Sequence, residues 1–459
     1  METKSIILDT DSYKVSMWRQ YPPGTQYIYS YIESRGGAYP KTLVLGIQAY
    51  IRDVLSKPIT QKEIDFADKF WTAHGEPFNR EGWQYILDKH NGYLPVEIRT
   101  VNEGTLMPTH NVLATIVNTD PMMPWLTTWL ETSFLRAIWY PTTVATQSWS
   151  IKQAIKKALI RSGDLNTLPF KLHDFGSRGV SSYESATLGS MAHLVNFSGT
   201  DTAIGILAAS EYYDADIETT AFSIPASEHS TITAWGQKKE AMAYANMVKQ
   251  FSKPGSVYAV VSDSYDIYNA IDMWGTELKD MVINGGGTLV IRPDSGDPAV
   301  VIPKLLNKLE KYFGATKNEK GYKVLNNVRL IWGDGINELS INTILMVVMT
   351  MNGFSADNIA FGMGGALLQI VNRDTQKFAM KCSAAFIDGK WVDVFKDPVT
   401  DPEKKSKSGR FMLIKDNNGF QTIPYNEQLA HNDLLKTRYI NGVSKNETNF
   451  QQIRLNSEA

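Results

Sequence analysis

A single cysteine, Cys382, in 459 residues excludes an internal disulfide and any multi-cysteine zinc or iron–sulfur site. A reducing, cytoplasmic setting is therefore the default expectation. Charge of either sign is not in excess, with a formal net charge of -2 and a pI near 6.4. No global field holds DNA, RNA or an anionic membrane, so any anionic ligand needs a local cluster of arginine and lysine. Long hydrophobic runs are missing too. The most apolar stretch, Pro124 to Tyr140, is short for a bilayer and carries Glu131 and Arg136, which fits a buried amphipathic helix. The opening residues METKSIILDTDSYK contain acids within the first dozen positions, unlike a signal or transit peptide. No low-complexity tract and no repeat at solenoid or propeller period is present. The seven histidines show no paired metal-ligand spacing, which argues against a histidine-based zinc site.

What is present is a chain of 43% hydrophobic residues, larger than one usual core, so two domains or one elaborated barrel is expected. The first third mixes signals. Trp125, Leu126, Trp129, Leu130 and Phe134 recur at helical spacing, while Val96, Ile98 and Thr100 alternate as in a strand. From about Thr146 a helix with Ile151, Ile155, Ala158 and Leu159 on one face leads into a strand-like run, Phe170 to Leu172. Strand candidates Val257 to Val261, Thr288 to Ile291, Val328 to Ile331 and Ile359 to Phe361 follow, separated by segments long enough for helices, such as the one bearing Ala241, Tyr244, Val248 and Phe251. The strand ends are polar or glycine-rich: His173-Asp174-Phe175-Gly176, Ser262-Asp263-Ser264, Arg292-Pro293-Asp294-Ser295-Gly296, Gly333-Asp334-Gly335 and Gly362-Met363-Gly364-Gly365. Five loaded ends favour a β/α barrel with its site on that face, over an open sheet with one switch point. After about Ala384 the pattern returns to turns and short strands, then to Lys404, Lys405, Lys407 and Arg410. This tail is expected to pack on the first region.

Several of these groups carry chemistry on either of two readings. Arg292 with Asp294 suits an anionic sugar substrate, with magnesium, or else a turn capping the next helix. Gly364 and Gly365 offer bare amides to a phosphate, or simply allow close packing, and the Gly-Lys-Ser/Thr ending of a P-loop is missing. His229, in Glu228-His229-Ser230, can carry a proton or accept a phosphoryl group, or be an ordinary imidazole beside a helix cap. Phe175 and Tyr13 are flat enough to hold a heteroaromatic ring, and Asp201 can accept from a carboxamide, although aromatics are commonly core and an aspartate beside threonine commonly a cap.

Taken together, Asp11-Ser12-Tyr13-Lys14, Ser30-Tyr31-Ile32-Glu33-Ser34-Arg35, Leu172-His173-Asp174-Phe175-Gly176, Gly199-Thr200-Asp201-Thr202, Glu228 to Gly236, Val261-Ser262-Asp263-Ser264-Tyr265-Asp266 and Ile291 to Gly296 resemble the nicotinamide phosphoribosyltransferases, from about residue 6 to about residue 455. The resemblance implies an α/β fold: an incomplete β/α barrel over residues 148–384 and an α+β domain over 1–147, completed by 385–459. It implies a head-to-tail homodimer with composite sites, using nicotinamide, 5-phosphoribosyl pyrophosphate, Mg2+ and ATP, with no nucleic acid and no membrane. Phe175 and the Tyr13 contributed across the dimer would sandwich the pyridine ring. Asp201 and Arg292 would take its amide. Arg178, with Arg35 and Lys396 from the other protomer, would hold pyrophosphate. Gly364 and Gly365, with Arg373 and Lys381 from the other protomer, would hold the 5-phosphate, and Asp294, Gly333 and Asp334 would face the ribose. Asp263 joins the substrate-binding set, and His229 matches the family histidine phosphorylated by ATP.

Ser177, Ala366 and a short segment after Arg35 depart from the vertebrate pattern, which leaves pocket breadth and loop regulation open. A nicotinate phosphoribosyltransferase on the same fold is the nearest rival, opposed by the Asp201 charge. A metal-dependent phosphosugar hydrolase would need tighter ligand clustering, and a non-enzymatic nucleotide binder would not need this set of groups.

Overall fold

Alternating apolar strands and amphipathic helices close on themselves in the second half of the chain. The computed structural model describes residues 5–400 and 405–459, so Met1 to Lys4 and Lys404 lie outside the described residues. Contacts divide the chain into one unit of Met1–Thr146, Ala208–Ala215 and Val371–Ala459, and a second of Gln147–Leu207 and Asp216–Ile370.

In the second unit, β1 (Leu172–Asp174), β2 (Gly199–Thr200), β3 (Val257–Val261), β4 (Thr288–Arg292), β5 (Val328–Trp332) and β6 (Ile359–Met363) form one sheet in the order β2-β1-β6-β5-β4-β3. Every pair is parallel. Its two edges meet one intervening segment: Gly199 bridges Phe222 and Ala226 bridges Ala259. Phe222 N donates to Ser198 O at 2.8 Å and Ala259 N to Pro225 O at 2.9 Å. Around the ring the strands follow chain order, which is the incomplete β/α barrel expected from the sequence. Its interior holds Ala259, Val290 and Ile331 with Phe175, Ile224 and Ala360 against them. At the entry to β1, Lys171 Nζ donates to the carbonyls of Ala356, Asp357 and Ile359. Burial pushes that amine down to about 8.

The intervening helices start at conventional caps. Asp297 accepts from Ala299 N ahead of Pro298–Phe313, with proline in the first turn, and Asn337 accepts from Ser340 N ahead of Glu338–Met346. The expected strand at Phe170 to Leu172 lies at Leu172–Asp174, because Leu165–Phe170, which contains Pro169, turns as a 3-10 segment. Trp125 to Leu130 form a separate short helix, Leu126–Trp129, while Phe134 and the pattern from Ile151 share the next one, Glu131–Ser162, which continues through Pro141. Thus Thr146 is a boundary between units and not a helix end.

The first unit is built on a seven-stranded sheet, all of whose pairs are antiparallel. Val96–Thr100 buries Val96, Ile98 and Thr100 and leaves Glu97 and Arg99 half-buried, as period two requires. Trp83 meets Trp125 and Trp129 edge-on at 5.0 and 5.1 Å in the core beside it. Phe378–Ile387 pairs along Thr25–Ser34, and Lys436–Ile440 pairs with Val96–Thr100. The chain therefore rejoins this unit at Val371, ahead of residue 385. No described helix is long and apolar enough to cross a membrane.

Candidate active site

The C-terminal strand ends of the barrel surround a cavity of about 530 Å³. Phe175 (after β1), Arg178, Arg292 (end of β4), Asp294, residues 333–337 (after β5), residues 364–366 (after β6) and Ile370 line it. Phe175 N donates to Met363 O at 3.0 Å, extending the β1–β6 ladder by one residue. The half-buried ring then lies where a Cβ on Gly362 would come within 1.9 Å of it, and one on Gly333 within 3.2 Å. The two glycines leave the space that the ring fills.

Arg292 and Asp294 approach at 3.8 Å, Nη2 to Oδ2. Arg292 Nε is buried without a hydrogen-bond partner, so the guanidinium keeps donor capacity for a ligand. Asp294 N and Ser295 Oγ donate to Asp263 Oδ2 at 3.0 and 2.6 Å. Asp263 Oδ1 is buried and accepts no hydrogen bond among the described residues. His229 Nε2 stands 3.7 Å from both Asp263 Oδ1 and Asp294 Oδ2, while Nδ1 is 3.1 Å from Ser264 Oγ. The five-residue helix His229–Thr233 begins at this histidine, with Glu228 as its cap.

Of the residues singled out from the sequence, Phe175, Arg178, Arg292, Asp294, Gly333, Asp334, Gly364 and Gly365 share the cavity wall. His229 and Asp263 join it through Asp294. Asp201 sits at the neighbouring strand end, its carboxylate accepting from Ser223 Oγ at 2.7 Å. The remaining five lie in the first unit. There Lys14, Arg35, Arg373 and Lys381 form a cationic group. Burial lowers the Lys381 amine, opposed by Glu131, and the three like charges add to the lowering. Lys14 Nζ binds Glu131 at 2.5 Å and lies 5.2 Å from the exposed Tyr13 ring. Arg35 Nε binds Glu33 at 3.0 Å, and its Nη2 is buried without a partner. Lys396 is exposed.

The sequence reading missed Ser264, Ser295 and Asn337. Ser264 and Ser295 stand in motifs already noted; Asn337, as a helix cap on a strand-end loop, was findable only from the barrel.

Residues 170–443 match the nicotinate phosphoribosyltransferase (NAPRTase) family, and residues 5–98 match the nicotinamide phosphoribosyltransferase N-terminal domain. A nicotinamide phosphoribosyltransferase of Xanthomonas campestris pv. campestris is 51% identical, covering 99% of this chain and 98% of the relative. One from Mycoplasma pneumoniae is 34% identical over 88% of this chain and 95% of its own length. Among solved structures, the nicotinate-nucleotide pyrophosphorylase of Pyrococcus furiosus superposes with a TM-score of 0.61 at 16% identity, covering 100% of this chain and 96% of that one. Human nicotinic acid phosphoribosyltransferase does so at 0.55 and 15%, covering 98% and 93%. At such identities the two structures speak to the fold alone. A parallel barrel of this kind, with these relatives, defines a pentosyltransferase. The chain belongs to the nicotinate phosphoribosyltransferase family and, within it, to the nicotinamide phosphoribosyltransferases.

Proposed function

We propose that the chain joins nicotinamide to 5-phosphoribosyl pyrophosphate, giving nicotinamide mononucleotide and pyrophosphate, in the cytoplasm. The observation that carries this reading is the cavity wall that combines an aromatic plate, Phe175, with two arginines, the carboxylates of Asp294 and Asp334, and the glycines of the strand-end loops. The aromatic face suits a pyridine, the guanidinium groups suit pyrophosphate, and the bare amides of Gly364 and Gly365 suit the 5-phosphate. Asp201 engages Ser223 through one oxygen, and its other can accept from the carboxamide. A nicotinate carboxylate there would meet a like charge.

The chemistry asked of the protein is positioning and charge stabilisation. The ring nitrogen is held on one face of C1 of the ribose and attacks it while the bond from C1 to pyrophosphate breaks. Arg178, with Arg35 and Lys396 of the other protomer, stabilises the leaving charge, while Arg292 donates to the amide oxygen of the pyridine. Magnesium fits the residues present, since Asp263 Oδ1 is a buried hard donor without a partner and Asp294 lies beside it. The ion takes one or two carboxylates together with substrate phosphates, and the described residues contain no cage of three ligands. Asp263 and Asp294 would hold it, and it would neutralise pyrophosphate charge.

ATP would enter as co-substrate. Its γ-phosphoryl group would pass to His229 and release ADP, adding negative charge beside the pyrophosphate subsite. Tyr13, Arg35, Arg373, Lys381 and Lys396 would serve the site of the other protomer in a homodimer, where their cationic grouping meets an anionic substrate. Incubation with labelled nicotinamide, 5-phosphoribosyl pyrophosphate and magnesium tests the reading: labelled mononucleotide supports it. Product formed only from nicotinate would replace it with the nicotinate activity.

A further inference from the structure

The two groups assigned above to the pyridine, Phe175 and Asp201, stand on different strand ends, and a single side chain lies between them. Asp174 is fully buried at the end of β1. Its Oδ1 accepts from Gly176 N at 2.7 Å, closing the turn that carries Phe175. Its Oδ2 accepts from Thr200 Oγ1 at 3.3 Å, immediately ahead of Asp201, and its carbonyl accepts from Asp201 N at 2.9 Å. Thr200 Oγ1 in turn accepts from Thr202 N at 2.9 Å and lies 3.2 Å from Ser190 Oγ, so with Ser190 as the donor of that pair its own proton points at Asp174.

A buried carboxylate is costly to keep, and among the described residues no salt bridge offsets this one. The nearby His193 gives no counter-charge at neutral pH, because burial pushes it down to about 4. An asparagine could close the Gly176 turn just as well. What asparagine lacks is a second acceptor oxygen. An asparagine amide could meet Thr200 Oγ1 only as a donor, turning the Thr200 proton away toward Ser190 Oγ, so only the carboxylate accepts from both strand ends at once.

We propose that Asp174 is a positioning residue for the pyridine subsite, tying the aromatic plate of Phe175 to the amide acceptor Asp201 at a fixed separation. This rests on the assignment of those two residues to nicotinamide. Asp174 touches no substrate and acts through its neighbours. Loosening the tie costs pyridine binding and the discrimination between amide and acid, while the ribose and 5-phosphate contacts on β4 to β6 stay in place.

The experiment is steady-state kinetics of Asp174→Asn, with KM for each substrate, the nicotinamide-to-nicotinate ratio of kcat/KM, and the melting temperature. The nicotinamide KM should rise roughly tenfold and the ratio should fall, with the KM for 5-phosphoribosyl pyrophosphate within about twofold of wild type. Thr200→Val should shift the same two quantities in the same direction, and Thr200→Ser, which keeps the hydroxyl, should restore them. An unchanged nicotinamide KM in folded Asp174→Asn overturns the proposal, as does an equal rise in both KM values accompanied by a lower melting temperature. Should Asp174→Asn not fold, the Thr200 pair decides: equal kinetics for Val and Ser refute the tie. If wild type uses nicotinate alone, the substrate reading falls, and the tie is judged on the nicotinate KM instead.

Discussion

Replacing Gly362 with alanine tests the link between packing and pyridine recognition most directly. Gly362 has ordinary backbone angles, so the substitution adds no conformational strain. The new methyl would lie 1.9 Å from Phe175 Cε2, 2.1 Å from Cδ2 and 2.7 Å from Cζ. Ordinary contact begins at 3.4 Å, so ring and strand must separate by about 1.5 Å. If the strand yields, overpacking costs about 1–3 kcal/mol of stability. If the ring swings away, a stacked ligand loses the plate, and about 1.5 kcal/mol of stacking corresponds to roughly tenfold in KM. The comparison is Gly333→Ala, whose methyl would meet the same ring at 3.2 Å and needs a shift of only tenths of an ångström. Nicotinamide KM and melting temperature are measured for both variants and for Gly362→Ala combined with Phe175→Ala. The double variant should recover stability without recovering nicotinamide affinity. A Gly362→Ala enzyme with wild-type KM and wild-type melting temperature refutes the placement of the ring. One that loses stability but binds nicotinamide normally refutes its role as the plate.

Asp201→Asn should weaken nicotinamide use by roughly ten- to hundred-fold and narrow its advantage over nicotinate, read by competition between the two pyridines; an unchanged ratio removes Asp201 from the role. His229→Ala should abolish acid-labile phosphate incorporation and ATP hydrolysis linked to turnover while slow phosphoribosyl transfer persists, and survival of phosphohistidine in this variant shows that another histidine carries it. For composite sites, inactive Asp294→Ala and Arg373→Ala chains allowed to exchange subunits should regain about a quarter of wild-type activity, because about half the dimers are mixed and each has one intact site of two. Exchange confirmed by mass without recovered activity withdraws the cross-protomer roles. His193, buried and neutral with a pKa pushed down to about 4, binds its proton more readily when unfolded. Its contribution to stability is therefore complete above about 6.5 and lost as pH falls from there toward about 4. Thermal melts of His193→Gln across that window should fall less steeply than wild type, and parallel curves refute the assignment.

The sequence by itself determined the alternation of apolar strands and helices, because period-two and period-3.6 patterns are local properties of the chain. Val257–Val261 is legible from its residues alone, and so are the polar ends that follow each strand. Their convergence on one face was also inferable, since parallel crossovers put every strand's C-terminal end on the same side. Tertiary structure alone decided the rest. The meeting of His229 with both Asp263 and Asp294 depends on helix placement above the ring, at residue separations no local pattern encodes. The closure of β2 and β3 through residues 222–227 rests on bridges too short to show a strand periodicity. The return of Phe378–Ile387 to the first unit was hidden because a short, mostly apolar run reads alike in either sheet, and only its partner Thr25–Ser34 settles which one it joins. Gly362 and Asp174 carry the same lesson: a glycine and an acid beside a strand end look like turn chemistry in one dimension, and only the approach of the Phe175 ring and the Thr200 hydroxyl in space shows what each residue type is needed for.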